Sequence, residues 1–235
     1  LGDVYKRQVL SIGQVPTPIL YYATNRLNTG TGIMITGSHN PPKYNGLKMM
    51  LNNKTLFGDA IQELYSLAGT RGLKRAKGAT SKRMVSDLYR DEIKEQLQLK
   101  KKLKVVVDCG NGVAGDYAPA LLKEIGADVV ELYCEVDGMF PNHHPDPAEP
   151  ENLQDLINRV KSEEADIGLA FDGDGDRLGV ISNRGQIIWP DKLMMLFSKH
   201  LLNANPGATI ISDVKCSMDL AKVIPVSYTH LTLPT

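Results

Sequence analysis

The chain has 235 residues, and its formal net charge is zero because 27 basic side chains balance 27 acidic ones. This charge gives no support for nucleic acid or a membrane surface as a partner. Its three cysteines have no CxxC spacing, which predicts a reducing, cytoplasmic compartment without a disulfide framework or a zinc site. No apolar run approaches ~18 residues, so we expect no transmembrane helix.

Both ends of the chain are expected to be non-native. Asp3–Gln8 can be encoded by a DNA string whose reverse complement, read in another frame, encodes Val226–Leu231. Translated adaptor ends from a sequencing library have this relation to each other, and two natural termini do not. We therefore expect residues 1–8 and 226–235 to be adaptor-derived, and 9–225 to be a fragment of a longer natural chain.

Between the ends, strand-like and helix-like segments alternate. The predicted elements, in chain order, are a strand at Ile33–Ile35, helices at Phe57–Ala68 and Ser86–Leu97 (with Ser86 as N-cap), strands at Leu103–Val107 and Val129–Tyr133, a helix at Glu151–Glu164 and a strand at Ile167–Phe171. A helix begins at Pro190, and Thr209–Ile211 starts another strand. This alternation predicts an α/β fold with a largely parallel sheet covered on both faces.

The stretch Thr36–Lys48 follows the first predicted strand and opens on a sharp turn. It presents Ser38 at the tip of that turn, with His39 beside it and Lys48 ten residues further on. Taken alone, the stretch could equally be a strand-to-helix connection in which Ser38 only caps the next element. An acidic cluster elsewhere in the chain favours phosphoryl chemistry instead.

That cluster consists of Asp172, Asp174 and Asp176, which alternate with glycines directly after a predicted strand. Alternate side chains of an extended segment point the same way, so the three carboxylates can converge on one cation, and hard oxygen ligands suit Mg²⁺. A calcium loop of EF-hand type is excluded by Arg177 at its sixth position and Asn183 at its twelfth. A purely structural aspartate turn remains an alternative. Arg177 is well placed to bind a phosphate.

Two motifs, Thr36–Pro41 and Asp172–Arg177, carry a family resemblance. They are similar to the phosphoserine loop and the metal loop of the α-D-phosphohexomutases, most closely the bacterial phosphomannomutase/phosphoglucomutase branch. The resemblance continues through Val105–Gly115, Phe140–Pro147 and Asp213–Cys216. It covers nearly all of the chain from residue 9 to residue 224.

The resemblance implies a phosphoenzyme that uses a metal ion. Ser38 would carry the transferable phosphoryl group. Asp172, Asp174, Asp176 and a phosphate oxygen on Ser38 would hold one Mg²⁺.

It also implies roles for side chains around this centre. His39, Asn40 and Lys48 would surround the reacting hydroxyl, with Lys48 as the proton carrier. Arg177 would position the phosphoserine, and Lys215 would reach the substrate.

The implied reaction interconverts hexose 1-phosphate and hexose 6-phosphate, with mannose or glucose as the sugar. Phosphoserine phosphorylates the free hydroxyl, the bisphosphate turns over, and its other phosphate returns to serine. The implied cofactors are Mg²⁺ and glucose 1,6-bisphosphate or its mannose equivalent, and the implied partners are small-molecule sugar phosphates of a monomeric full-length enzyme. A phosphoglucosamine mutase and a non-catalytic relative that binds magnesium or sugar phosphate remain alternatives.

The family fold has four domains, mainly three-layer α/β/α units with mixed, mainly parallel sheets. By resemblance, 9–84 is an N-terminally truncated domain I with the phosphoserine loop, 85–187 is domain II with the metal loop, and 188–225 is the truncated start of domain III. We expect such a fragment to be inactive by itself. His143 and His144 lie in a proline-rich loop and are interpreted as a turn or an inter-domain contact, not as metal ligands.

Overall fold

The computed structural model describes residues 8–69 and 78–224, so the expected adaptor-derived ends lie outside the described residues except for Gln8. The strands are β1 (Gln8–Ser11), β2 (Gly32–Ile35), β3 (Leu47–Leu51), β4 (Lys54–Thr55), β5 (Ala79–Lys82), β6 (Lys104–Asp108), β7 (Asp128–Leu132), β8 (Ile167–Phe171), β9 (Leu178–Ser182) and β10 (Ile187–Ile188). The helices are α1 (Thr17–Arg26), α2 (Asp59–Ala68), α3 (Ser86–Gln96), α4 (Ala118–Glu124), α5 (Gln154–Ser162), α6 (Pro190–Ala204) and α7 (Asp219–Val223). Within the described ranges, no helix combines the length and the apolar character needed to cross a membrane.

The largest sheet has five strands in the order β10-β9-β8-β6-β7. β6 pairs in parallel with both β7 and β8, and helical crossovers join these strands along the chain. β8, β9 and β10 instead pair antiparallel, because short connections join them as hairpins.

Both faces of this sheet are covered by helices. Val106 of β6 packs on one face against α5, where Leu156 and Val160 are buried, and against Leu153, which directly precedes this helix. Val105 and Val107 point to the opposite face and pack with residues that include Ala118 and Leu122 of α4. The arrangement is a three-layer α/β/α sandwich, which confirms the predicted α/β class with mixed sheets.

The N-terminal part of the chain has two smaller sheets. β2, β3 and β4 form an antiparallel meander, while β1 and β5 pair in parallel. α1 buries Ile19 and Ala23 in a cluster with Val15 and Val85. The expected parallel pairing is therefore found between β1 and β5 and between β6 and each of β7 and β8, whereas hairpins produce antiparallel pairs elsewhere in the described chain.

Two local predictions are wrong. Thr209–Ile211 is not a strand, because no neighbouring strand of the described chain supplies the hydrogen bonds that a strand needs. Ser86 is the first residue of α3 and not its N-cap, a position that Val85 occupies without a side-chain cap. The Ser86 hydroxyl lies 3.4 Å from the Tyr117 hydroxyl.

Candidate active site

Ser38 lies in the loop of a β-hairpin. The loop is closed by the Thr36 amide, which donates to the Gly46 carbonyl at 3.0 Å, and Ser38 adopts a left-handed φ of 50°. The Ser38 amide donates to the Thr36 hydroxyl oxygen at 2.8 Å. The connection runs from strand to strand and not from strand to helix, so the chain returns and places Lys48 on β3, opposite Met34 of β2.

The aspartate loop is the tip of the β8–β9 hairpin. The amides of Asp176 and Arg177 both donate to Oδ1 of Asp172 at 3.0 Å, and Gly175 has a left-handed φ of 68°. One carboxylate oxygen from each of Asp172, Asp174 and Asp176 lies within 4.8 Å of the others. A tight turn therefore brings the carboxylates together, and not the alternation of side chains along an extended segment that the sequence pattern predicts.

The two hairpin loops meet at the Ser38 hydroxyl. Its Oγ lies 3.0 Å from Oδ2 of Asp172 and 2.9 Å from Oδ1 of Asp174. The backbones also approach closely, since a Cβ atom added to Gly173 would overlap the Ser38 carbonyl oxygen. The structure thus brings together the serine and the acidic cluster that lie 134 residues apart in the sequence.

Lys48 provides a positive charge to this cluster. Its Nζ lies 2.6 Å from Oδ2 of Asp174 and 2.6 Å from Oδ2 of Asp176. Burial lowers the pKa of Lys48, but the hydrogen bonds and negative charges of the two carboxylates outweigh it and hold the pKa above its usual value. Lys48 is therefore a cation at neutral pH in this arrangement.

Thr17 is a site residue that the sequence argument missed. It is completely buried at the first position of α1, and its hydroxyl donates to Oδ2 of Asp174 at 2.6 Å. Its amide also donates to the Asp174 carbonyl at 2.9 Å. Burial raises the pKa of Asp174, but hydrogen bonds from Lys48, Thr17 and Ser38 overcome that effect and lower the pKa. The only local signal was a threonine between two prolines, Pro16 and Pro18, which marks a helix start and no chemistry.

Asp172 is the most strongly perturbed carboxylate of the cluster. Burial is the largest cause that raises its pKa to about 6, the Arg177 amide opposes this, and the charges of Asp174 and Asp176 add to it. Three carboxylates around a single ammonium leave an excess of negative charge, which a divalent cation would neutralise. The donor set of hard oxygens fits such a metal ion.

A second group of contacts links the serine loop to the proline-rich loop. His144 donates from Nε2 to the His39 carbonyl oxygen, in agreement with its interpretation as a contact residue. Asp146 lies 4.0 Å from Nε2 of His39 and 4.0 Å from an η nitrogen of Arg177. Within the described residues, Nδ1 of His39 is buried and has no hydrogen-bond partner.

Two predicted site residues do not reach the cluster. The side-chain amide of Asn40 donates to the Gly37 carbonyl at 3.0 Å and so stabilises the loop to which Asn40 belongs. Lys215 is exposed between α6 and α7, where its backbone amide donates to Asp213. In the part of the chain that the structure describes, neither has a hydrogen bond or ion pair to Ser38 or the aspartates, and their roles stay predictions.

Comparison with known families agrees with this site. Residues 5–72 match the family "Phosphoglucomutase/phosphomannomutase, alpha/beta/alpha domain I", and residues 87–185 match the corresponding "alpha/beta/alpha domain II". The chain therefore belongs to the phosphoglucomutase/phosphomannomutase family, as the sequence resemblance predicted.

Individual proteins of this family are similar to the chain over most of its length. The chain is 53% identical over 217 residues to the phosphomannomutase/phosphoglucomutase of Pseudomonas aeruginosa, covering 92% of this chain and 47% of that protein. It is 53% identical to the phosphoglucomutase of Neisseria gonorrhoeae, covering 91% and 47%. The crystal structure of a phosphoglucomutase/phosphomannomutase family protein from Burkholderia thailandensis superposes with a TM-score of 0.86 at 46% identity, covering 92% and 49%. The chain thus spans about half the length of the relatives it matches.

Proposed function

We propose that this chain carries the serine and metal loops of a mutase that interconverts the 1-phosphates and 6-phosphates of mannose or glucose. The observation that carries the proposal is the position of the Ser38 hydroxyl, within 3.0 Å of two carboxylates of the acidic cluster. The names of the similar proteins from Pseudomonas and Neisseria support the choice of sugars.

Ser38 serves as the phosphoryl carrier. An unassisted serine hydroxyl is a weak nucleophile, but a phosphoserine stores a phosphoryl group between the two half-reactions. Asp172, Asp174 and Asp176, with a phosphate oxygen on Ser38, would hold Mg²⁺, which would neutralise charge on the transferring phosphoryl oxygens.

The neighbouring cations complete the charge balance. Lys48 and Ser38 contact the same carboxylate, Asp174, so a protonated amine belongs to the same cluster as the serine oxygen, which gains charge as the phosphoryl group leaves. We assign Lys48 as the group that supplies a proton to that oxygen. Arg177 has its Nε 3.9 Å from Asp172 and 45% of its side chain exposed, which leaves its guanidinium available for a phosphate.

The complete cycle has two transfers through this serine. Phosphoserine gives its phosphoryl group to the free hydroxyl of a hexose phosphate, which forms glucose 1,6-bisphosphate or its mannose equivalent. The bisphosphate turns over, and its other phosphate returns to Ser38. We further propose a monomeric, cytoplasmic enzyme that binds sugar phosphates and neither nucleic acid nor membranes, to be tested by light scattering and cell fractionation.

The test is mass spectrometry of the full-length protein that contains this chain, after incubation with glucose 1,6-bisphosphate and Mg²⁺. We expect one phosphate on Ser38, and no phosphate in a folded Ser38→Ala variant. A folded wild-type protein without phosphate on Ser38 would overturn the proposal.

Steady-state rates with the phosphates of mannose, glucose and glucosamine test the sugar. The highest kcat/KM for glucosamine phosphate would replace the proposed substrate. We also expect little or no turnover from the 235-residue chain alone, because it spans about half the length of its relatives.

A further inference from the structure

Two of the three cysteines lie side by side at the ends of neighbouring parallel strands. Cys109 directly follows β6, and Cys134 lies two residues beyond the end of β7. Their Sγ atoms are 3.4 Å apart. The pairing is held by the backbone, since the Cys109 amide donates to the Leu132 carbonyl at 3.1 Å and the Asn111 amide donates to the Tyr133 carbonyl at 2.8 Å.

The two thiols differ in access. Cys109 is completely buried, whereas Cys134 is half-buried. The Cys134 sulfur lies within hydrogen-bond distance of the Cys109 sulfur, and this contact outweighs burial and lowers the pKa of Cys134. Cys134 therefore combines partial exposure and a lowered pKa, which favour oxidation, with a second cysteine in contact.

We propose that Cys109 and Cys134 are a redox modification site, in which a peroxide converts the two thiols into a reversible intramolecular disulfide. The Cys134 thiolate attacks one oxygen of hydrogen peroxide, and the O–O bond breaks to give a sulfenic acid and, after protonation, water. The sulfur of Cys109 then attacks the sulfenic sulfur, its S–H proton leaves with the displaced hydroxyl group, and a second water forms. Two thiols are oxidised, and one peroxide is reduced to two waters.

The geometry permits this bond with little rearrangement. A disulfide has its sulfur atoms about 2.05 Å apart, so the thiols must approach each other by about 1.4 Å. Side-chain rotation at the half-buried Cys134 can supply part of that movement.

The pair also lies next to the candidate active site without belonging to it. Cys109 begins the turn that leads to Val113, whose amide donates to the Gly173 carbonyl of the aspartate loop at 3.1 Å. A Cβ atom on Gly112 would lie 2.9 Å from the same carbonyl oxygen, so this turn packs tightly against the loop. A disulfide at Cys109 would therefore form one short turn away from the acidic cluster.

The test treats the reduced, folded 235-residue chain with hydrogen peroxide and follows it by intact mass, free-thiol titration and peptide mapping. We expect the loss of two hydrogen atoms, a fall from three free thiols to one, and a cross-linked peptide containing Cys109 and Cys134. Dithiothreitol should restore all three thiols. The Cys216→Ser variant should form the same cross-link, because Cys216 is not part of the pair.

Two further variants test the order of events. Cys109→Ser should accumulate a sulfenic acid on Cys134 that dimedone traps, whereas Cys134→Ser should lose the reaction. Circular dichroism identifies folded variants. The proposal is overturned if the folded wild-type chain gives no cross-link, if Cys216 is a partner in the cross-link, or if the cross-link forms only after unfolding in urea.

Discussion

The Thr17–Asp174 hydrogen bond gives the sharpest test of how the site is held together. Thr17→Val keeps the shape of a completely buried side chain and removes the hydroxyl that donates to Oδ2 of Asp174 at 2.6 Å. Thr17→Ser keeps the hydroxyl. Thr24→Val is a matched control on the same helix, because the Thr24 hydroxyl bonds to the helix carbonyl of Tyr21 and does not reach the site.

The expected loss follows from the charge of the acceptor. A hydrogen bond to a charged group contributes about 1.5–3 kcal/mol, and Asp174 keeps its contact with Lys48, so we expect a value towards the lower end of this range. For a chain of this size, a loss of about 1.5–3 kcal/mol lowers the Tm by about 3–12 °C. The pKa of Asp174 should also rise, because one of the hydrogen bonds that lowers it is gone.

The assay is thermal unfolding at neutral pH in the presence of a chelator. A double-mutant cycle with Asp174→Asn then measures the coupling between the two side chains, and we expect a coupling energy of about 1 kcal/mol or more. The reasoning is refuted if Thr17→Val and Thr17→Ser have the same Tm. It is also refuted if the double-mutant cycle gives no coupling energy between Thr17 and Asp174.

Three further predictions concern the acidic loop. The pKa of Asp172 is raised from 3.8 to about 6, so in the metal-free protein the contribution of Asp172 to the free energy of unfolding should fall as the pH rises between these values. Since a ligating carboxylate must be ionised, Mg²⁺ affinity should fall about tenfold per pH unit below about 6, and calorimetric affinities that do not change with pH would contradict this. Gly173→Ala should weaken Mg²⁺ binding and lower the Tm, because its Cβ would overlap the Ser38 carbonyl. Gly138→Ala, with no atom within 4 Å of its added Cβ, is the control, and equal behaviour of the two variants would contradict the close contact between the loops.

Local patterns were sufficient to predict β8 and the helix that packs against the sheet beside it, but not β9, the other strand that carries the acidic cluster. β8 spans Ile167–Phe171 as expected, and the apolar face of the predicted helix at Glu151–Glu164 forms the buried contact with β6. One local signal was overlooked. Asn52 and Asn53 both have φ above 50° and form the turn between β3 and β4, a pattern that indicates a hairpin.

The remaining site residues depend on contacts between distant segments. Thr17 meets Asp174 across 157 residues of sequence, and no spacing or residue type near Thr17 predicts that contact. The same is true of Asp146, whose neighbours His39 and Arg177 come from two different loops. Sequence patterns predict which residues can do chemistry, whereas the packing of α1 and of the hairpin loops decides which of them meet.

The hairpin that carries both Ser38 and Lys48 limits which insertions and deletions the gene can accept. β2 and β3 pair in a fixed register, with Ile35 opposite Leu47, and successive side chains of β3 point to opposite faces. One codon inserted within β3 before Lys48 would turn the amine away from the aspartates. The same codon inserted between Pro41 and Asn45 would lengthen only the loop tip, so natural length variation should concentrate there.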